Sequence, residues 1–217
     1  MFRGFGMGQS HYFRVPIAKQ LALTDEEIQM LLSHPKKKDV FVLKILIYTG
    51  LRNSEFLHLK KDWINFEKRV IKIPSSQTCE CSECARKRHG IWKPKYEQSV
   101  RSIPILNEIL PDLMEYFIEH ENIMETYRNR VYTWSVVKKM MKIFNIKRRI
   151  KNMKKEVKIK NPYTHALRAT FASILAKHGY NALVIQKVLG WNDINLAQTY
   201  VNMHSEDAAN IILKSGI

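Results

Sequence analysis

Cysteine is scarce in this 217-residue chain, with three residues at positions 79, 81 and 84. Three clustered thiols cannot build a disulfide framework, which points to a reducing, cytoplasmic setting. Long apolar runs are missing too. A membrane-spanning helix needs about 18 or more consecutive apolar residues, and the longest candidate, Phe41 to Tyr48, is broken by Lys44. The opening stretch MFRGFGMGQSHYFR has neither the apolar core nor the small-residue cleavage pattern of a secretory signal. Acidic residues are in short supply: 20 Asp and Glu stand against 36 Lys and Arg, a net charge of +16. So large an excess makes a compact protein repel itself. It is usually kept where a polyanion neutralises it, so nucleic acid is the leading partner class.

What is present suits a folded protein. Apolar residues make up 45% of the chain, aromatics 10% and charged residues 26%, and the length allows one sizeable core with a small appendage. Residues 1–19, with Gly4, Gly6 and Gly8 among aromatics and arginines, read as a flexible tail or linker remnant. Order starts near the capping box Thr24-Asp25-Glu26-Glu27. A second apolar helix runs from about Lys38 to a natural stop at Gly50, and Asn53 or Ser54 can cap a short third helix. The period then changes. Residues 69–73 alternate as a strand, and 98–103 form a second strand candidate before Pro104. Between them lies a Cys-rich basic excursion, 75–97. Helical patterns follow at about 105–122, 133–149, 164–178, 181–190, 193–201 and 205–213, and 147–160 carries eight Lys and Arg as a basic loop. The expected fold is mainly α with a small antiparallel sheet or hairpin, forming one domain over 20–217.

Four separated pieces carry chemistry. In Thr49-Gly50-Leu51-Arg52-Asn53-Ser54-Glu55 an arginine sits just past a helix end, with a carboxylate three residues on. The carboxylate can orient the guanidinium, whose planar fork suits two phosphate oxygens. In Thr164-His165-Ala166-Leu167-Arg168 the His and Arg share one helix face. Leu167, Phe171 and Ile174 point to another face as core anchors. The third piece is Leu189-Gly190-Trp191, and the fourth is Tyr200, nine residues after Trp191. Taken singly, each residue has an ordinary role as surface pair, scaffold histidine, core indole or half-buried phenol. Together, in this order and spacing, they carry a resemblance.

The chain resembles the tyrosine recombinases (phage-type integrases), over the catalytic domain at about residues 20 to 212. The resemblance implies that Arg52 and Arg168 neutralise a DNA phosphate and stabilise its pentavalent transition state. Glu55 would support Arg52, and His165 would act as an acid or base. Trp191, in place of the commoner His, would donate one indole N–H but shuttle no proton. Tyr200 would be the nucleophile, giving a 3′-phosphotyrosyl link without ATP or a catalytic metal. A hairpin lysine would protonate the leaving 5′-oxygen. The family position, some five residues before Arg101, is Tyr96 here, a departure that leaves Lys95 as first candidate and Lys93 as second. The implied partner is double-stranded DNA, bound as a homo-tetramer by a protein that is monomeric or weakly associated without it. About 20 residues precede the first helix, so the core-binding clamp domain usual in the family is expected to be absent from this sequence, which reads first as a catalytic domain cut from a longer protein and otherwise as a protein that works without a clamp.

Cys79, Cys81 and Cys84, followed by His89, make a full ligand set for a structural zinc remote from the chemistry; the plain alternative is three unligated cysteines in a polar loop. For the whole chain, the leading reading is a site-specific recombinase or integrase. The alternatives are a nicking-closing enzyme like a type IB topoisomerase, and a non-catalytic basic nucleic-acid-binding module.

Overall fold

The first helix forms where its capping box places it. In the computed structural model, which describes residues 21–127, 129–143, 146 and 162–203, the Glu27 amide donates to Thr24 Oγ1 at 3.2 Å and the Thr24 amide donates to Glu27 Oε2 at 3.0 Å. This opens α1 (Asp25–Leu32), which is followed by α2 (Lys37–Thr49) and α3 (Asn53–Leu57). Next come β1 (Ile64–Asn65) and β2 (Val70–Ile73), then an excursion of β3 (Gln77–Thr78), α4 (Ser82–Arg88) and β4 (Ile91–Trp92), and then β5 (Arg101–Pro104). The chain continues through α5 (Leu110–Glu119), α6 (Met124–Tyr127), α7 (Arg130–Ile143), α8 (Pro162–Lys177), α9 (Ala182–Leu189) and α10 (Ile194–Met203).

The architecture is mainly helical with small antiparallel sheets. One sheet has the order β1–β2–β5, and a second pairs β3 with β4. Ile71 lies opposite Ile103 and Ile73 opposite Arg101. Ile71, Ile73 and Ile103 are buried, whereas Lys72 and Ser102 are exposed, as strand alternation requires of a sheet with one wet face. α8 runs through the core and packs against α2, α7, α9 and α10. Its Ala166, Leu167, Phe171 and Ala172 are buried, so the small residues let neighbouring helices approach while Leu167 and Phe171 anchor it. No helix among the described residues is long and apolar enough to cross a membrane.

The structure departs from the sequence expectations at several element ends. The Ile105 amide donates to the Arg69 carbonyl at 2.8 Å, so the ladder runs past Pro104 and α5 starts at Leu110 rather than 105. Residues Glu97–Ser99 form a 3₁₀ turn, which shortens the second expected strand. The excursion contains a helix, α4, that its polar pattern did not announce. Neither Asn53 nor Ser54 caps α3. Arg52 is the N-cap, because the Glu55 carboxylate accepts its backbone amide at 2.9 Å. The expected helix at 205–213 and the basic stretch 147–160 lie outside the described residues.

Gly50 ends α2 with φ +58°, and a Cβ there would come within 2.5 Å of Leu189 Cδ2 and 2.8 Å of Phe171 Cδ1. Both neighbours are fully buried. Gly50→Ala is therefore expected to destabilise the fold by about 3 kcal/mol, from left-handed backbone strain plus overpacking. Denaturant unfolding of both proteins measures this, and a loss below about 0.5 kcal/mol would show that the Leu189–Phe171 contact yields easily.

Candidate active site

Three arginines from separate parts of the chain meet at the ends of α2 and α9. Arg52 donates through Nη1 to Glu55 Oε1 at 2.7 Å and to Ser99 Oγ at 2.9 Å, and through Nη2 to the Gly190 carbonyl at 3.1 Å. Arg101, on β5, donates through Nη1 and Nη2 to the two Glu55 oxygens at 3.1 and 2.9 Å, and through Nε to the Val188 carbonyl at 2.7 Å. Arg168, on α8, donates to the carbonyls of Gly50 and Leu189. The local reason is helix termination. The last carbonyls of α2 and α9 have no intrahelical partner and carry the negative end of the helix dipole, so guanidinium donors satisfy them. Gly190 closes α9 at φ +60°, and a Cβ there would lie 2.5 Å from the Gln98 carbonyl oxygen. Only glycine lets the Trp191 turn sit this close to the hairpin.

The charge count is uneven. Glu55 is 1% exposed and Arg168 6%, and the Arg101 side chain is 4% exposed. Burial by itself would push the Glu55 pKa up; the Arg101 ion pair and hydrogen bonds, then Arg168 and Arg52, outweigh it and hold the carboxyl at about 2. Burial, then Arg52 and Arg101, act against the charge on Arg168, while Glu55 and Tyr200 favour it. A guanidinium keeps its proton in such surroundings. Three buried or half-buried cations thus share one carboxylate, an excess that an anion would relieve.

One pocket of about 470 Å³ gathers Arg52, Lys95, His165, Arg168, Trp191 and Tyr200 on its walls, with Tyr96, Arg130 and Asn53 beside them. A slightly larger cleft along β2 and β5, of about 520 Å³, holds none of these six. Lys93 lies outside the pocket, and its carbonyl accepts from Arg88 Nη1 at 2.6 Å. Lys95 Nζ lies 4.9 Å from the Tyr96 ring centre, and Arg52 stands 5.8 Å from the same ring. A hydrogen bond and the positive charge from Lys95, then Arg52, lower the pKa of the exposed Tyr96 phenol. His165 opens to solvent, yet surrounding protein strips part of its hydration. That desolvation, then the charges of Arg168, Arg52 and Lys95, lower its pKa from the ordinary imidazole value, so the ring is neutral at pH 7. Tyr200 forms part of the pocket wall at 1% exposure. It stacks on Trp191 with ring centres 5.6 Å apart. Burial raises its pKa, and Arg168 pulls it back.

Sequence reasoning missed Arg101 and Ser99 as partners of this site. Arg101 was visible only as a residue within a strand pattern and as a landmark for the hairpin lysine, because its role depends on a carboxylate 46 residues earlier in the chain. The candidate metal ligands also regroup. Cys79, Cys81 and Cys84 cluster with His58, not His89. His89 is exposed and ends α4 in a left-handed turn with φ +50°.

These residues stand within a known pattern. The phage integrase family profile matches residues 22–207. The chain belongs to that family. It is 29% identical over 167 residues to a probable integrase/recombinase of Acholeplasma phage L2, covering 77% of this chain and 49% of the relative. It is 26% identical over 200 residues to the tyrosine recombinase XerA of Saccharolobus solfataricus, covering 89% of this chain and 56% of the relative. The chain thus spans about half the length of these relatives. The Tn1549 transposon integrase, solved in complex with circular intermediate DNA, superposes with a TM-score of 0.59 at 21% identity, over 91% of this chain and 67% of that one. A crystal structure of XerA recombinase gives 0.55 at 18% identity, over 89% and 63%. Both likenesses show that the chain has the fold of integrase catalytic domains.

The low Glu55 pKa has a testable sign. A carboxyl held at about 2 against an ordinary 4.5 contributes stability at pH values above 4.5, and that contribution is lost as pH falls from 4.5 toward 2. The gap corresponds to about 3 kcal/mol. Glu55→Gln is expected to be less stable at pH 7 and to lack this acid-limb decline. Urea unfolding at stepped pH checks it, and parallel profiles for the two proteins would contradict it.

Proposed function

We propose that this protein cleaves and rejoins double-stranded DNA through a 3′-phosphotyrosyl intermediate, as a site-specific recombinase or integrase. The observation that carries the reading is the pocket itself. Two guanidinium groups, Arg52 and Arg168, face a common space with the Tyr200 phenol, under a local excess of positive charge. A phosphodiester supplies the missing anion, and its trigonal-bipyramidal transition state draws more from both arginines than the ground state does.

The steps balance on residues of this chain. The Tyr200 oxygen attacks phosphorus, and its proton passes to the neutral His165 imidazole. The bond from phosphorus to the 5′-oxygen breaks, and Lys95 gives that oxygen its proton. Trp191 shields the phenol and offers its indole N–H to phosphate. Rejoining runs the same path backward, with the bond energy kept in the phosphotyrosyl link. The reaction assigns no catalytic role to a metal. Tyr200 reaches a phosphate once α10 turns its buried phenol outward, so the arrangement seen here is a resting one. The net charge of +16 favours backbone contacts with DNA. Exchange between paired sites requires four protomers on DNA. The relatives named tyrosine recombinases support strand exchange over nicking and closing alone.

Incubation with a nicked suicide DNA substrate is expected to give a covalent adduct on a denaturing gel that Tyr200→Phe abolishes. An adduct that survives Tyr200→Phe would assign another nucleophile. Lys95→Ala is expected to slow adduct formation by about 100-fold or more, and a 5′-bridging phosphorothiolate should restore it, because a thiolate leaves without a proton. Failure of that rescue would remove Lys95 as the acid.

A further inference from the structure

The cluster at the base of the hairpin excursion is a second site with chemistry of its own. The Cys79, Cys81 and Cys84 sulfurs and a His58 ring nitrogen all lie within 4.8 Å of one another. His58 Nε2 stands 3.6 Å from Cys81 Sγ and 3.5 Å from Cys84 Sγ. Tetrahedral zinc, with bonds of about 2.3 Å to sulfur and about 2.1 Å to nitrogen, spaces its ligand atoms about 3.6 Å apart. The imidazole is already oriented for that role. Its Nδ1 lies 2.7 Å from the Ser54 carbonyl, so Nδ1–H donates there and the Nε2 lone pair faces the sulfurs. The loop is closed around the thiols by the Cys79 amide donating to the Gly90 carbonyl at 2.8 Å and the Gly90 amide donating to the Cys84 carbonyl at 3.1 Å. Cys79, Cys84 and His58 are all buried.

We propose that Cys79, Cys81, Cys84 and His58 bind a structural zinc ion that clamps the excursion onto α3 and thereby positions Lys95. Three thiolates and one imidazole are a closed tetrahedral set with no open position, which is the donor chemistry of structural rather than catalytic zinc. The site joins two segments that both feed the active pocket. His58 follows α3, the helix that Arg52 opens and Glu55 belongs to. The His58 ring stacks on Trp92 at 5.4 Å, and Trp92 packs on Trp63 at 5.0 Å. Trp92 lies three residues before Lys95. The excursion has little core beyond these rings, because β3 and β4 are two residues each and a two-stranded hairpin is marginal in water. A metal staple supplies the missing constraint.

The metal assignment stands apart from the recombinase reading, whereas the effect on Lys95 rests on it. The full chain, purified without chelator under reducing conditions, is expected to carry about one zinc per molecule. Chain that neither carries zinc nor takes it up on reconstitution would overturn the site. Cobalt exchanged into the protein should show thiolate charge-transfer bands and the intense visible bands of tetrahedral coordination. His58→Ala should weaken or shift those bands, and His89→Ala should leave them unchanged. The reverse pattern would overturn the ligand set. Zinc removal should slow adduct formation on ordinary suicide DNA, and a 5′-bridging phosphorothiolate should restore the rate. Unchanged rates after zinc removal would refute the positioning role while leaving the metal site intact. Absence of any adduct in the zinc-loaded protein would instead count against the recombinase reading.

Discussion

A single buried carboxylate, Glu55, decides where two of the three clustered guanidinium groups lie. Both its oxygens are engaged by the Arg101 guanidinium, one also by the Arg52 guanidinium and the other by the Arg52 backbone amide, and its pKa is held at about 2. A buried charge costs several kcal/mol to desolvate, so its partners must hold good geometry or the fold suffers. That requirement brings β5, α3 and the end of α9 into fixed register. It also links stability to the site, because the contacts that settle Glu55 aim Arg52 into the pocket.

The arginines in turn depend on backbone. Carbonyls at the ends of α2 and α9 take donors from Arg52, Arg101 and Arg168. Those carbonyls converge because Gly50 and Gly190 turn the chain sharply in a left-handed conformation. Helix termini thus serve as the mould for a cationic pocket, and one carboxylate is too little negative charge to balance it. The remaining demand for an anion is the physical basis for reading the pocket as a phosphate site in this integrase-family chain.

Local patterns were legible where one short segment holds the whole signal. The Thr24–Glu27 capping box, the Gly50 and Gly190 helix stops and the buried stripe of α8 all follow from spacing within a few residues. Signals that need two distant segments were not legible. Arg101 is an ordinary strand residue until Glu55 is placed beside it. His58 is an ordinary helix-end histidine until the excursion folds under it, and His89 looked better only because it is nearer in sequence. The start of α5 was misplaced for the same reason: the Arg69–Ile105 pairing extends the ladder, and no pattern within 105–122 reports a partner across the sheet.

The order and spacing of Arg52, His165, Arg168, Trp191 and Tyr200 were set by the sequence alone, as were the basic balance and the mainly helical class, because each depends on residue type and local period. Tertiary structure alone decided that Lys95 rather than Lys93 lines the pocket, that Arg101 shares Glu55 with Arg52, and that His58 completes the thiol cluster. Those choices turn on distances of a few ångströms between segments tens of residues apart. Such distances arise only when helices and sheet pack around a common core.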